Sequence, residues 1–272
     1  MVLAALLAGC GERAVPEAAA PAAAAAAAPK ADPAALIGLW TVADSGEGKG
    51  TILRIAASGP YGGLLVFGPC GDVLTSWRAN ADGDFVAGRG DGAMCPAVAW
   101  LDRAVAFRVT GGGPVLLDAE GGQVARLVPG ARPRPVPGLL ASAVEQPVVD
   151  AEARRVLAPA APLPPSLRPV PRAALVGRWA VDDGVNRRTT PYVELRADGA
   201  WQGSDGCNGQ AGRWVAGAAG AFLATQAFST LIGCDNVRVG DWLAWATRAG
   251  LDGEALVLLG AEGQELGRLK RS

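Results

Sequence analysis

Ser204-Asp205-Gly206-Cys207-Asn208-Gly209 sets a hydroxyl, a carboxylate, a thiol and an amide side by side, the groups from which nucleophilic catalysis is built. Such a nucleophile needs a base beside it, and the chain has no histidine and no lysine near this segment. Gly206 and Gly209 allow positive φ and Asp205 or Asn208 can bond to the backbone, so a tight turn is expected instead. Paired carboxylates are a second chemistry, acting as acid and base in glycoside hydrolysis; the candidates are Asp182 with Asp183, and Asp82 with Asp84. A hydrolase of that kind needs its two carboxyls about 5 to 10 Å apart in a cleft. Asp72, Asp82, Asp84 and Asp91 could gather calcium, but their spacing fits no EF-hand loop. Arg89-Gly90-Asp91 is an RGD tripeptide, which chance produces often. The expectation is no catalytic residue, no metal and no cofactor.

The five cysteines carry a different chemistry. Cys10 follows Leu7-Ala8-Gly9 at the end of an apolar run, which resembles a bacterial lipobox. In such proteins the preceding peptide is removed and the cysteine is lipidated, which anchors an exported protein to a membrane. No stretch reaches the roughly 18 to 20 apolar residues that span a bilayer, so attachment is expected through the N-terminal lipid alone. The other four cysteines, Cys70, Cys95, Cys207 and Cys234, divide evenly because the chain repeats itself. Leu36-Ile37-Gly38-Leu39-Trp40 returns as Leu175-Val176-Gly177-Arg178-Trp179, and Cys70 and Trp77 return as Cys207 and Trp214. From Trp100 and from Trp242 the copies align without a gap at an offset of 142. The duplication predicts two intradomain disulfides, Cys70 with Cys95 and Cys207 with Cys234. Closing a loop of about 25 residues contributes on the order of 3 kcal/mol. Four buried thiols in a reducing compartment are the alternative.

A period of about 140 residues is too long for a solenoid unit and implies two globular domains. With 272 residues, half of them hydrophobic, the chain can fill two modest cores. The formal charge of -1, with both signs interspersed, offers no field for nucleic acid, and none is expected as a partner. The expected layout is a lipoprotein signal remnant at 1–10, an Ala/Pro spacer at 11–35, a first domain at 36–128, a Pro-rich linker at 129–174 and a second domain at 175–272. Proline-rich segments favour extended backbone, so the linker is expected to act mainly as a semi-rigid spacer, with some order between 138 and 157.

Within the second domain, alternating residues at 192–196, the Asp198-Gly199 turn and residues 200–202 predict a hairpin. Further strands are expected at 212–215, 221–224, 256–259 and 266–269. A helix is expected from 241 to 248, capped by Asp241 and stopped by Gly250. The first domain predicts strands at 52–55, 64–67, 76–78, 85–87, 115–117 and 124–127, with a helix at 97–106. The fold class expected is α+β, each domain a curved antiparallel β-sheet packed on one α-helix.

The second domain resembles a META domain, the HslJ-like family of bacterial envelope proteins. The resemblance rests on Leu175-Val176-Gly177-Arg178-Trp179, Asp198-Gly199, Gly206-Cys207-Asn208 with Gly212 and Trp214, Cys234, Trp242-Leu243 and Leu256-Val257-Leu258-Leu259. The first domain carries Cys70-Gly71-Asp72 where the second has Gly-Cys-Asn, and resembles the family chiefly through its sister copy. The resemblance implies a non-enzymatic domain, secreted or lipid-anchored, linked to envelope stress and antibiotic tolerance.

Eight tryptophans against two tyrosines recur at matching positions. Trp40, Trp179, Trp100 and Trp242 are expected in the cores, whereas Trp201, Trp214 and Trp245 are candidates for a binding surface. The leading expectation is a lipid-anchored protein on the extracytoplasmic side of a bacterial membrane, binding an envelope protein or serving in envelope stress. A carrier of an apolar small molecule or lipid, in a pocket beside the helix, is the alternative. A carboxylate-based hydrolase is a third.

Overall fold

The computed structural model describes residues 31–57, 63–69, 71–89, 96–135, 137–181, 183, 185, 189–227, 229, 233 and 236–272. Cys10, Cys70, Cys95, Cys234, Asp91, Asp182, most of the RGD tripeptide and most of the spacer lie outside these residues. Strands in the first half are β1 (Gly38–Ala43), β2 (Ile52–Ile55), β3 (Gly63–Gly68), β4 (Gly71–Ala79), β5 (Phe85–Ala87), β6 (Ala106–Thr110), β7 (Gly113–Leu117) and β8 (Gln123–Pro129). After β9 (Arg168–Pro169) come β10 (Gly177–Val181), β11 (Tyr192–Leu195), β12 (Ala200–Ser204), β13 (Gly209–Ala216), β14 (Phe222–Ala224), β15 (Arg248–Asp252), β16 (Ala255–Leu259) and β17 (Glu265–Arg271). The α-helices are α1 (Ala151–Val156), α2 (Arg172–Leu175) and α3 (Val239–Trp245), and a 3₁₀ helix spans Pro96–Arg103.

The strands form two antiparallel sheets with one plan. The first runs β5-β4-β3-β2-β1-β8-β7-β6; the second runs β14-β13-β12-β11-β10-β17-β16-β15 and adds β9 at its edge. In each sheet the run curves until its ends meet, at a bridge between Asp84 and Ala106 in the first and between Ala221 and Arg248 in the second. The end strands of each curved run touch at one bridge, and one of the two sheets comes close to a barrel.

Equivalent side chains do equivalent work in the two halves. The Trp40 indole N–H donates to the Leu36 carbonyl, and that of Trp179 to Leu175, both at 2.8 Å. Trp77 stacks on Phe85 with centroids 6.4 Å apart, as Trp214 does on Phe222 at 6.2 Å. One core gathers Leu36, Leu53, Ile55, Leu64, Phe85, Trp100, Leu116 and Leu127; the other gathers Leu175, Trp179, Trp201, Trp214, Phe222, Leu243, Leu256 and Leu269. Apolar residues alternating along β2 and β11, at Leu53, Ile55, Val193 and Leu195, face these cores with period 2.

Several local expectations need correction. The first helix is 3₁₀ rather than α and ends at Arg103; Ala104 N–H donates to Leu101 at 3.0 Å, and Ala106 already pairs with Leu117 in β6. In the second half α3 starts at Val239 and stops at Trp245, so Asp241 lies inside its first turn, ion-paired with Arg238, rather than capping it. Gly250 is a strand residue paired with Val257, not a helix stop. β6 and β15, not expected from the sequence, form because a neighbouring strand offers a full ladder of hydrogen bonds; in β15, with Ala249, Gly250 and Asp252, that ladder outweighs local propensity.

The expected spacers also belong to the packed structure at their ends. A 3₁₀ turn, Pro33–Leu36, is capped by Asp32 and buries Leu36, so part of the Ala/Pro stretch seals the first core. The stretch 129–174 is a strap rather than a free spacer. Ala153 of α1 enters the first core and Val170 the second, while Ala161 N–H donates to Ala261 at 2.8 Å and β9 pairs with β15. Among the described residues no helix is long and apolar enough to cross a membrane.

Candidate ligand-binding cleft

The turn at Ser204 to Asn208 is structural in its bonding. Asp205 Oδ1 accepts the N–H groups of Cys207 at 2.8 Å and Asn208 at 2.6 Å, while Oδ2 accepts the side-chain amides of Asn208 at 3.0 Å and Asn236 at 2.8 Å. Burial alone would raise the Asp205 pKa, yet these hydrogen bonds from Asn208, Cys207 and Asn236 win and hold it below the usual carboxylate value. Gly206 takes φ 107°, as a tight turn requires, whereas Gly209 simply opens β13. Ser204 Oγ accepts the Gly206 N–H at 3.1 Å. Cys207 is disulfide-bonded. The groups that looked like a nucleophile and its helpers are thus occupied in holding the β12–β13 turn.

The expected tryptophan surface reduces to one ring. Trp201 and Trp214 are core residues, 1% and 0% exposed. Trp201 Nε1 donates to Thr225 at 2.8 Å, Trp214 Nε1 is shared between Arg196 and Ala200, and the Arg172 guanidinium covers the Trp214 ring at 4.3 Å. Both lie on β-strands whose alternation turns them inward, a direction their sequence spacing alone left open. Trp245, at the end of α3, is 50% exposed.

That indole lines a cleft of about 640 Å³ between the two sheets. Its walls come from four places. The first sheet supplies Trp77, Arg78 and Ala79 at the end of β4 and the turn from Asn80 to Asp82. The second supplies Leu223 of β14, then Ala244, Trp245, Thr247 and Arg248 where α3 passes into β15. The β16–β17 turn adds Glu262 and Gln264, β17 adds Leu266, and the strap from Arg155 to Ala160 covers the cleft. The volume lies within the range that holds a small organic ligand.

The sheets are held in register around this cleft by contacts at their equivalent edges. Val86 of β5 packs with Val215 of β13 and Leu223 of β14, with Val105 beside them. Arg78 Nη1 donates to the Ala246 carbonyl at 2.7 Å and to that of Ala244, on either side of Trp245. Desolvation lowers the Arg78 pKa to about 10. Arg213 donates to the Asp102 carbonyl; burial lowers its pKa, with the Asp102 charge opposing. Arg248 Nη1 lies 3.5 Å from Asp82, and its Nε donates to Ala161 of the strap at 3.2 Å.

Asp82 lines the cleft but Asp84 does not; Asp84 accepts the Asn80 amide at 2.7 Å and is raised in pKa, first by burial. The two carboxylates therefore do not flank one cavity as a hydrolytic pair would. Among the described residues no cluster of three or more His, Cys, Asp or Glu could hold a metal. Sequence reasoning found Trp245 but missed Arg78 and the strap. One signal was available: Trp77-Arg78 carries a cation where its counterpart Trp214-Val215 carries an apolar residue. No protein-family profile, no curated protein and no solved structure matches this chain.

Proposed function

We propose that the chain is a non-enzymatic binding protein of the bacterial cell envelope, anchored by a lipid on Cys10, that carries a small apolar or amphipathic molecule between two META-like domains, residues 36–128 and 175–272. The observation that carries the reading is the cleft of about 640 Å³ with the half-exposed Trp245 in its wall, since a concave site of this size with an aromatic side chain in its lining suits a small ligand. The bonding of the Ser204 to Asn208 turn supports a non-enzymatic role: the hydroxyl and carboxylate are committed to backbone groups. The resemblance to envelope-stress proteins supports a role in tolerance of membrane-active compounds.

Native mass spectrometry of the protein purified from its own cells tests the reading. The expected result is a bound small molecule on the wild type and its loss on Trp245→Ala. A ligand-free wild type that also binds none of a set of amphipathic probes overturns it. The anchor is tested separately by fractionating cells that carry Cys10→Ser, which is expected to release the protein from the membrane.

A further inference from the structure

Arg78 brings a positive charge to the cleft without a counter-ion. Its Nη1 is committed to the carbonyls of Ala244 and Ala246, and no carboxylate among the described residues pairs with it. A guanidinium has five N–H donors, so Nε and Nη2 keep three that bond to nothing in the protein. Neither nitrogen is fully enclosed, and Arg78 is one of the residues that line the cleft. The lowering of the Arg78 pKa by desolvation, with no charge opposing it, agrees with this bonding. Four of the other charges around the cleft are already matched in two pairs: Asp82 faces Arg248 at 3.5 Å, and Glu152 pairs with Arg155. Glu262 is exposed on the β16–β17 turn. A largely desolvated cation is costly unless an anion meets it, and the carbonyls at the end of α3 offset only part of that cost.

We propose that the cleft takes an amphipathic anion, its carboxylate or phosphate head on the free Arg78 donors and its apolar tail against Trp245, Leu157, Leu223 and Leu266. The planar fork of an arginine suits either head group, which can accept two parallel N–H bonds. The clamp on both sides of Trp245 holds the cation and the exposed indole together, so head and tail contacts share one rigid wall. This inference rests on the small-molecule reading above and names the ligand class for the same cleft.

The test is titration of the full chain, kept free of detergent, with laurate, dodecyl phosphate and dodecanol below their micelle limits, read by calorimetry. The wild type is expected to bind the two anions at least about tenfold more tightly than the alcohol at low salt, as a charged hydrogen bond predicts. Arg78→Met is expected to bring the three probes to within about twofold of one another. Equal affinity of the wild type for anions and alcohol overturns the anion proposal and leaves small-molecule binding standing. Failure to bind any probe overturns both. Should Arg78→Met not fold, the wild-type comparison decides alone. Sedimentation with phosphatidylglycerol vesicles then separates the sources. Arg78-dependent sedimentation assigns the head group to a membrane lipid; laurate binding without sedimentation assigns it to a free acid.

Discussion

The Asp84 carboxylate, just before β5, sits against the α-carbon of Gly217, just after β13 in the opposite sheet. A methyl group built on Gly217 would stand 2.7 Å from Oδ1 and 2.8 Å from Cγ, and closer still to Oδ2. The two halves can approach this closely only because residue 217 has no side chain. Gly217→Ala is therefore expected to cost about 1 to 3 kcal/mol by forcing the sheets apart. For a chain of this size each kcal/mol lowers the melting temperature by roughly 2 to 4 °C. In a double-mutant cycle with Asp84→Ala, scanning calorimetry should recover much of the loss; strictly additive losses would show that the contact does not join the sheets.

Asp84 and Asp205 should give the pH profile opposite slopes. Asp84 is raised in pKa by burial first, then by the Asp82 charge, against the Asn80 hydrogen bond and Arg248. The folded state therefore holds the proton longer than the unfolded state, so stability falls as pH climbs from the ordinary carboxylate value to the raised one. Asp205 is lowered, and its contribution is present above the ordinary carboxylate value and lost as pH falls through the folded one. Denaturant melts across pH 2 to 7 should show Asp84→Asn flattening the first slope and Asp205→Asn flattening the second, about the usual carboxylate range. Asp205→Asn is also expected to cost about 1 to 3 kcal/mol at neutral pH, because a rotatable amide cannot accept four hydrogen bonds at once.

Trp40 and Trp179 make the same 2.8 Å hydrogen bond in settings of different burial. Trp40 is partly exposed and Trp179 is 2% exposed. Phenylalanine at either site removes the donor and leaves a carbonyl to be solvated, which water can do only at the first. Trp179→Phe is therefore expected to destabilise by about 2 to 3 kcal/mol, and Trp40→Phe by about 1 kcal/mol or less. Urea denaturation that gave equal losses would show that burial does not govern these bonds.

Trp245 should separate function from folding. A half-exposed ring contributes little to the core, so Trp245→Ala is expected to stay within about 0.5 to 1 kcal/mol of the wild type in thermal melts. Binding of an amphipathic probe should fall by about tenfold or more in the same variant, since an aromatic anchor is commonly worth that much. A large drop in melting temperature with binding intact would place Trp245 among the structural residues.

The duplication was plain in the amino-acid order. The two halves align on Leu36 to Trp40 and Leu175 to Trp179, and the structure returns two sheets of one strand order. Most strands were legible for the same reason, alternation with period 2 bounded by turns such as Asp198-Gly199, where Gly199 adopts φ 80°. β15 was not legible, because Arg248-Ala249-Gly250-Leu251-Asp252 has little strand propensity and forms against β16 and β9. The strap was read as a spacer because proline content reports local stiffness and says nothing of the surface onto which Ala153 and Val170 pack.

By itself the sequence determined the repeat, the absence of an imidazole, most β-strands and the turn chemistry around Asp205, since each depends on residues close together in the chain. Tertiary structure decided what the molecule offers a ligand. Trp201 and Trp245 share a residue type, and only the direction of β12 and the end of α3 made one a core ring and the other a wall of the cleft. Arg78 and Ala246 are 168 positions apart, and no local pattern foretells that a guanidinium on one sheet will meet a helix end on the other. Such pairings follow from how two curved surfaces pack, a property of the whole fold rather than of any segment.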